Sequence, residues 1–217
     1  MSAAGLSTPA YVLLRDRLRQ DILTGGWPPG EHRTLAVLAA RHGVSLSPVR
    51  EALLGIRQHR GAVVPLLDAA LLGDLYDLRG ALQSLTARRA AERATEAELK
   101  GIAAHAGAFA GAAKRGDAAE ALRHNEAFHA AIDAAARNPQ AGAVLGARTA
   151  FVNAVRLRLG YGPARLKRAA KQHEAILEAL RDRDAEAAAE AAFAHVESAK
   201  RDLLERLGEL DDGGSKP

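Results

Sequence analysis

Residues 43–53 read Gly-Val-Ser-Leu-Ser-Pro-Val-Arg-Glu-Ala-Leu, and this stretch decides the fold of the N-terminal part of the chain. Gly43 can adopt the positive φ that ends a helix. Ser47 can cap the next helix, and Pro48 suits its first turn, where a backbone N–H is not needed. Arg50 then points outward, and three apolar side chains face a core: Val49, Ala52 and Leu53. The spacing predicts the turn and second helix of a DNA-reading helix-turn-helix, or an ordinary helical hairpin.

The segments on either side extend this pattern. Upstream, an amphipathic helix ends at Gly25-Gly26, and a second helix spans Leu35 to His42. Downstream, residues 60–64 (Arg-Gly-Ala-Val-Val) predict a strand entered from a glycine turn. The apolar side of the upstream helix consists of Tyr11, Leu14, Leu18 and Ile22. The expected order is therefore helix, helix, turn, helix and strand.

This order resembles the winged-helix domain of the GntR family of bacterial transcription regulators. The matching segments are Ile22-Leu23-Thr24-Gly25, Pro29-Gly30-Glu31, Leu38-Ala39, Gly43-Val44-Ser45, Pro48-Val49-Arg50-Glu51-Ala52-Leu53 and Arg60-Gly61-Ala62-Val63-Val64. The resemblance implies a DNA-binding domain over residues 1–65 that recognises a double-stranded operator. The residues expected to contact DNA are Ser45, Leu46, Ser47, Arg50, Arg60 and Gly61.

Two departures from the family pattern affect this expectation. Leu46 stands where the family usually carries an operator-contacting arginine, and an arginine–guanine pair contributes roughly 1–3 kcal/mol of discrimination. The operator is therefore expected to differ or to be bound less selectively. The second departure is a shortening directly after Gly55, where the family continues into a first wing strand. Either the wing is truncated or part of it is absent from this sequence, and a single strand is hard to stabilise.

Charge is distributed unevenly between the two parts of the chain. Residues 1–65 hold eight Lys and Arg against four Asp and Glu, and basic and acidic residues balance in the remainder. The whole excess of +4 therefore lies in the candidate DNA-binding part, where phosphate contacts require it.

Length and composition limit the class of protein. The 217 residues allow one small and one medium domain, and 48% hydrophobic residues are enough for a core. The absence of cysteine excludes a disulfide framework, a thiolate zinc site and a thiol nucleophile. No secretory signal or apolar run of membrane-spanning length occurs in the sequence, so a soluble cytoplasmic protein without a membrane partner is expected.

From Leu67 onward the sequence predicts helices only. A first long helix carries an apolar stripe formed by Leu71, Leu75, Leu78, Leu82 and Leu85. Thr95-Glu96-Ala97-Glu98 is a capping box, and Gly116-Asp117 ends one helix and caps the next. Further helices are expected at about 140–160, 164–181 and 185–208. Six helices with short links predict a bundle over residues 66–210, followed by a disordered tail at 211–217.

Histidines carry the chemistry of this second part. Asn125 and His129 lie on the apolar stripe of one predicted helix, His173 lies on that of another, and His195 is surrounded by alanines in the last. Imidazole and oxygen ligands that point inward suit zinc or a similar divalent metal. The alternative for each histidine is an ordinary hydrogen-bonded position in the core.

Residues 67–210 resemble the FCD ligand-binding domain of the FadR-type branch of the family. The matching elements are Arg79 with Leu82, Asn125-Glu126-Ala127-Phe128-His129 with Asn138, His173-Glu174-Ala175-Ile176 with Ala179, and His195. The resemblance implies zinc or nickel at Asn125, His129, His173 and His195. It also implies a small carboxylate effector beside the metal and within reach of Arg79. Asn125 replaces the acidic ligand of the family, which leaves the site one negative charge short.

Enzymatic alternatives find little support in the sequence. A helical di-metal enzyme needs two Glu-x-x-His units, and only the unit from Glu126 to His129 is present. The His-Glu-x-x-His motif of zinc hydrolases is absent. A purely structural helical protein would leave residues 43–53 unexplained. The sequence is interpreted as a homodimeric, metabolite-responsive transcription regulator and not an enzyme; the alternatives are a metal-dependent helical enzyme and a regulator-like protein with impaired DNA binding.

Overall fold

The protein is described by a computed structural model that covers residues 10–23, 26–27, 31–52, 62–63, 69–146, 152, 156 and 162–213. The chain divides into two compact units, Met1–Leu67 and Asp68–Pro217. The described residues are mainly helical, with one two-stranded sheet in the first unit. The fold class predicted from the sequence is confirmed.

Among the residues that the structure describes, the first unit has three helices and two short strands. Its elements are α1 (Ala10–Leu23), β1 (His32–Arg33), α2 (Leu35–His42), α3 (Leu46–Ala52) and β2 (Ala62–Val63). The helices enclose a small core of Leu14, Leu18, Trp27, Leu38, Ala39, Val49 and Ala52. Helix α2 has the predicted bounds and ends at Gly43, whose φ is 64°. Of the apolar side expected for α1, Leu14 and Leu18 are buried, whereas Tyr11 is 37% exposed.

The start of α3 differs from the prediction. The helix begins at Leu46, so Ser47 lies inside the first turn and cannot be its cap, and Ser45 precedes the helix instead. Before it, the end of α2 is closed by Val44, whose N–H donates to the carbonyl of Ala39 at 3.0 Å. Pro48 still lies in the first turn of α3, where no intrahelical N–H is required.

The strand that follows α3 has a partner strand. Strand β2 pairs antiparallel with β1, with His32 opposite Val63 and Arg33 opposite Ala62. The partner strand therefore comes from the segment before α2. The rest of the expected wing, including Gly55, Arg60 and Gly61, lies outside the described residues.

The second unit contains six helices among its described residues. These are α4 (Ala69–Arg93), α5 (Glu96–Arg115), α6 (Ala118–Ala135), α7 (residues 139–146, with Val152 and Arg156 also helical), α8 (Pro163–Arg181) and α9 (Ala185–Gly213). The capping box at Thr95 and the caps at Gly116 and Asp117 form as predicted. Helix α9 continues to Gly213, so the predicted disordered tail is wrong for residues 211–213. None of the described helices is long and apolar enough to cross a membrane.

The buried face of α4 differs from the predicted leucine stripe. Leu78 and Leu85 are 42% and 36% exposed, whereas Arg79, Gln83 and Thr86 are buried. The stripe prediction was wrong for these two leucines because α4 faces a polar region of the interior, described below. The leucines repeat at helical spacing, but they lie along the margin of the buried face.

Three arginines tie the turns together at one end of this unit. Arg93 donates to the carbonyl of Ala136 at 2.9 Å, linking the end of α4 to the end of α6. Arg137 (φ 51°) and Arg183 (φ 58°) adopt the left-handed backbone conformation that costs a non-glycine residue roughly 1–2 kcal/mol. Their side chains donate to the carbonyls of Ala135 and Ala94, respectively, and these bonds offset the backbone cost.

Replacing two glycines by alanine, one inside α5 and one at its C-cap, should change the stability of the protein in opposite directions. Gly116 has a φ of 74°, and Gly101 lies in the middle of the helix; an added Cβ would meet no atom within 4 Å at either position. We expect Gly116→Ala to lower the free energy of unfolding by about 1 kcal/mol, because alanine is strained at positive φ. Gly101→Ala should raise it by about 0.5–1 kcal/mol. Urea unfolding followed by circular dichroism measures both, and equal effects would contradict the backbone argument.

Candidate functional site

The first candidate surface is the solvent side of α3. Ser45, Leu46, Ser47 and Arg50 are all exposed, and Leu46 is 42% exposed. The opposite side of the helix carries Val49 and Ala52, which are buried against the other helices of the first unit. This packing leaves the side chains of Leu46, Ser47 and Arg50 directed to solvent on a short helix, with that of Ser45 just before it. Such an arrangement can meet phosphates at its N-terminus and base edges along its face.

The second candidate site lies inside the helical unit, where three helices each contribute a histidine. His129 belongs to α6, His173 to α8 and His195 to α9, and their exposed fractions are 6%, 0% and 2%. The Nε2 atoms of His129 and His195 are 3.2 Å apart. One ring nitrogen from each of the three histidines lies within 4.8 Å of the others. Asn125, one turn before His129 on α6, is also buried.

Aromatic packing fixes the ring of His173. Phe128 stacks on it with ring centroids 4.3 Å apart, and Phe109 meets it edge-on at 4.5 Å. Neither ring nitrogen of His173 has a hydrogen-bond partner among the described residues. A buried polar group left in this state costs about 1–3 kcal/mol. The packing therefore holds in place an imidazole that is suited to a ligand.

Three buried arginines lie close enough to the histidines to affect their ionisation. They are Arg79 of α4, Arg156 and Arg165, with exposed fractions of 8%, 2% and 6%. The Nε of Arg156 donates to the hydroxyl of Tyr76 at 3.0 Å. The Nε of Arg165 forms an ion pair with Asp202 at 3.2 Å. Asp202 partly offsets the charge of Arg165, while the three histidines and Asn125 themselves supply no negative charge.

The environment keeps the three imidazoles uncharged. Burial, and then the nearby Arg165 and Arg156, lower the pKa of His173 to about 3. Burial also lowers the pKa values of His129 and His195 well below the ordinary range. The positive charge that His173 carries when protonated, and the charges of the arginines, lower them further. Neutral imidazoles are the protonation state that binds a metal ion.

Sequence reasoning missed part of this site. It named Arg79 but not Arg156, Arg165 or Gln172, whose side-chain oxygen lies 3.1 Å from the Nδ1 of His195. A signal existed for Arg165, because it precedes His173 by two helical turns and therefore shares its face of α8. No helical spacing links Arg156 to the histidines, since it comes from a separate segment.

The residues present fit a divalent metal. Three neutral imidazole nitrogens form the donor set that zinc and nickel prefer, and the unpartnered nitrogens of His173 are suited to a ligand bond. Asn125 supplies an amide in place of a carboxylate, so the side chains would not neutralise the charge of the ion. The surrounding guanidinium groups favour an additional anion at the same place.

Two family models match the chain, one over each part. The model of bacterial regulatory proteins of the gntR family matches residues 10–61, and the model of the FCD domain matches residues 74–198. The chain belongs to the GntR family of regulators and carries an FCD domain. The resemblance inferred from the sequence motifs is confirmed.

Individual relatives of this GntR-family protein agree with that assignment. The uncharacterized HTH-type transcriptional regulator YdhC of Bacillus subtilis (strain 168) is 26% identical over 197 residues, covering 87% of this chain and 88% of the relative. The Nta operon transcriptional regulator of Aminobacter aminovorans is 38% identical over 79 residues, covering 33% of this chain and 38% of that protein. By its membership of this family, the protein is a DNA-binding transcriptional regulator rather than an enzyme.

Solved structures show the same fold. The structure of E. coli McbR/YncC has a TM-score of 0.73 at 20% identity, covering 92% of this chain and 99% of that chain. A GntR transcriptional regulator from Rhodococcus sp. RHA1 has a TM-score of 0.65 at 18% identity, covering 91% and 99% of the respective chains.

The lowered histidine pKa values predict acid sensitivity of the helical unit. Below pH 6.5 the histidines of an unfolded chain bind protons that the folded chain excludes. The free energy of unfolding should therefore decrease as the pH is lowered below 6.5. His173 should contribute a slope approaching about 1.4 kcal/mol per pH unit, because its folded pKa is about 3. Urea unfolding of the His173→Phe variant, which keeps a ring against Phe128, should show a shallower slope. His105→Phe, outside the cluster, is the control; equal slopes in both variants would refute the expectation.

Proposed function

We propose that operator binding by this regulator is controlled by a small carboxylate that binds, together with a divalent metal, among α6, α8 and α9. The observation that carries the proposal is the buried group of uncharged His129, His173 and His195 beside Arg79, Arg156 and Arg165. In this proposal the DNA-binding domain spans residues 1–65 and the effector-binding domain residues 66–210. Binding to genomic DNA would place the protein in the cytoplasm.

DNA contacts are assigned to the exposed face of α3. Arg50 would read a base edge in the major groove, while Ser45 and Ser47 would contact phosphates near the N-terminus of the helix. Leu46 offers an apolar surface where the family usually has an arginine, which favours contact with a thymine methyl over a guanine. Arg60 and Gly61 are assigned to the wing by the family resemblance alone.

The effector site is assigned to the interior of the FCD domain. His129, His173 and His195 would hold zinc or nickel, and Asn125 would add a weak fourth contact or leave that position to the effector. The ion would supply a Lewis-acidic centre for a carboxylate oxygen. Arginine recognises carboxylates through paired N–H groups, so Arg79 is assigned to the anionic end of the effector.

A homodimer is proposed because operator half-sites are read by two recognition helices one helical turn of DNA apart. The exposed Leu78 and Leu85 lie seven residues apart on one face of α4 and offer apolar area for a symmetric contact. The effector would act by favouring one arrangement of the two DNA-binding domains over another, which requires that it bind that arrangement more tightly.

The DNA assignment is tested by replacing Arg50. We expect Arg50→Ala to weaken binding to an operator selected from random DNA by about 1–3 kcal/mol, the range of a base-reading contact. Fluorescence anisotropy at fixed salt measures the affinity, with Arg89→Ala on α4 as the matched control. Binding that is the same in both variants would remove Arg50 from the interface. Leu46→Arg should change sequence preference more than non-specific affinity.

The metal assignment is tested by measuring bound metal. After incubation with zinc or nickel and removal of excess ion, the unaltered protein should retain metal and His173→Ala should not. The partly buried His105 lies outside the cluster, so His105→Ala is the matched control. Asn125→Asp should tighten binding, because it restores a charged ligand. Negligible metal in the unaltered protein and in every variant would mean that the histidines are core residues and that the pocket binds its ligand without metal.

A further inference from the structure

The side chain of Gln172 joins Arg165 to His195. Arg165 donates from Nη1 to the Oε1 of Gln172 at 3.1 Å, and the Nδ1 of His195 lies 3.1 Å from the same oxygen. A guanidinium group has donors only, so the amide atom that faces it must be the oxygen. The orientation of the Gln172 amide is therefore fixed by its arginine neighbour.

This orientation determines which nitrogen of His195 carries the proton. An amide oxygen only accepts, so the Nδ1 of His195 must donate to it. The Nε2 of a neutral His195 then has a lone pair and no hydrogen. That lone pair faces the Nε2 of His129 at 3.2 Å, and this contact is a hydrogen bond only if His129 carries its proton on Nε2.

We propose that Arg165 and Gln172 are a positioning pair that presets His195 in the Nδ1–H tautomer, with its Nε2 lone pair offered to the metal site. An ion held between the two facing Nε2 atoms needs a lone pair on each, so His129 must change tautomer when such an ion binds. The proton on its Nε2 leaves to solvent and another is taken up from solvent at Nδ1, so the ring stays neutral. This inference rests on the metal centre of the proposed function and assigns two residues to it that touch no ion.

The positioning pair is itself held by α9. The Nε of Arg165 pairs with Asp202 at 3.2 Å, and its Nη1 lies 3.4 Å from the hydroxyl of Ser198. Asp202 also forms an ion pair with Arg168 of α8. A guanidinium fixed in this way presents its N–H groups in one direction. If the amide of Gln172 were flipped, its NH2 group would face these donors and the hydrogen bond would be lost. Groups that hold metal-ligating histidines typically change metal affinity by 10–100-fold when they are removed.

The tautomers can be read directly in the metal-free protein. Long-range ¹H–¹⁵N spectra of the full chain, labelled at histidine and stripped of metal at neutral pH, distinguish Nδ1–H from Nε2–H rings. We expect His195 in the Nδ1–H form and His129 in the Nε2–H form. A His195 that carries its proton on Nε2 in the unaltered protein overturns the proposal, without any variant being required.

Variants then separate positioning from general packing. Gln172→Leu removes the acceptor, so His195 should lose its single tautomer and zinc affinity should fall by about 10–100-fold. Gln172→Glu keeps an acceptor for both neighbours and should restore the tautomer and the affinity. Gln140→Leu makes the same chemical change at an exposed position of α7 and should alter neither. If Gln172→Leu keeps His195 wholly in the Nδ1–H form, the pair does not set the tautomer and the proposal is wrong.

Failure of the positioning role can be distinguished from failure of the proposed metal centre. If the unaltered protein shows the expected tautomers but binds neither zinc nor nickel, the metal centre is wrong and the role of the pair in metal binding falls with it. If zinc binds but His195 is not preset, the metal centre stands and the positioning role is overturned. Circular dichroism of Gln172→Leu establishes that its fold is intact before either result is interpreted.

Discussion

Burial of three uncharged imidazoles at the centre of a helical bundle is the constraint on which the helical unit depends. Desolvation makes the protonated form of each ring costly, and the arginines nearby raise that cost. Neutral rings can approach one another without repulsion, as His129 of α6 and His195 of α9 do at 3.2 Å. A hydrocarbon core of the same size would need no such partners, because apolar contacts are non-directional. The polar centre instead requires defined partners at defined distances.

This polar centre also explains the unusual composition of α4. A helix that packed only on hydrocarbon would bury its leucines, whereas α4 buries Arg79, Gln83 and Thr86 and exposes Leu78 and Leu85. Thr86 donates to Asp133 of α6 at 2.7 Å, and burial raises the pKa of that carboxyl group despite this bond. Arg79, two turns earlier on α4, is close enough to His129 to lower its pKa. Polar groups of α4 thus meet polar groups of α6 at two places, Thr86 with Asp133 and Arg79 near His129.

The sequence predicted those parts of the fold that local chemistry determines. Glycines at positive φ, the capping box at Thr95 and the apolar spacing around His129 need only near neighbours, and each appears where it was expected. The burial of Arg79 and the exposure of Leu78 could not be predicted in this way, because both depend on what a second helix presents. Arg156 is the clearest case: its relation to the histidines arises only from tertiary packing. Gln172 is adjacent to His173 in sequence, yet it contacts a histidine on a different helix.

The arginine-tied turns have a mechanical consequence for the helical unit. Arg93, Arg137 and Arg183 connect the α4–α5, α6–α7 and α8–α9 turns to one another, so these helix ends are held together. The first turn of α4 lies at the far end of a 25-residue helix, on the order of 37 Å away, and it is the point where the chain comes from the DNA-binding unit. The arginine bonds thus restrain the last turn of α4 directly and its first turn only through the length of the helix.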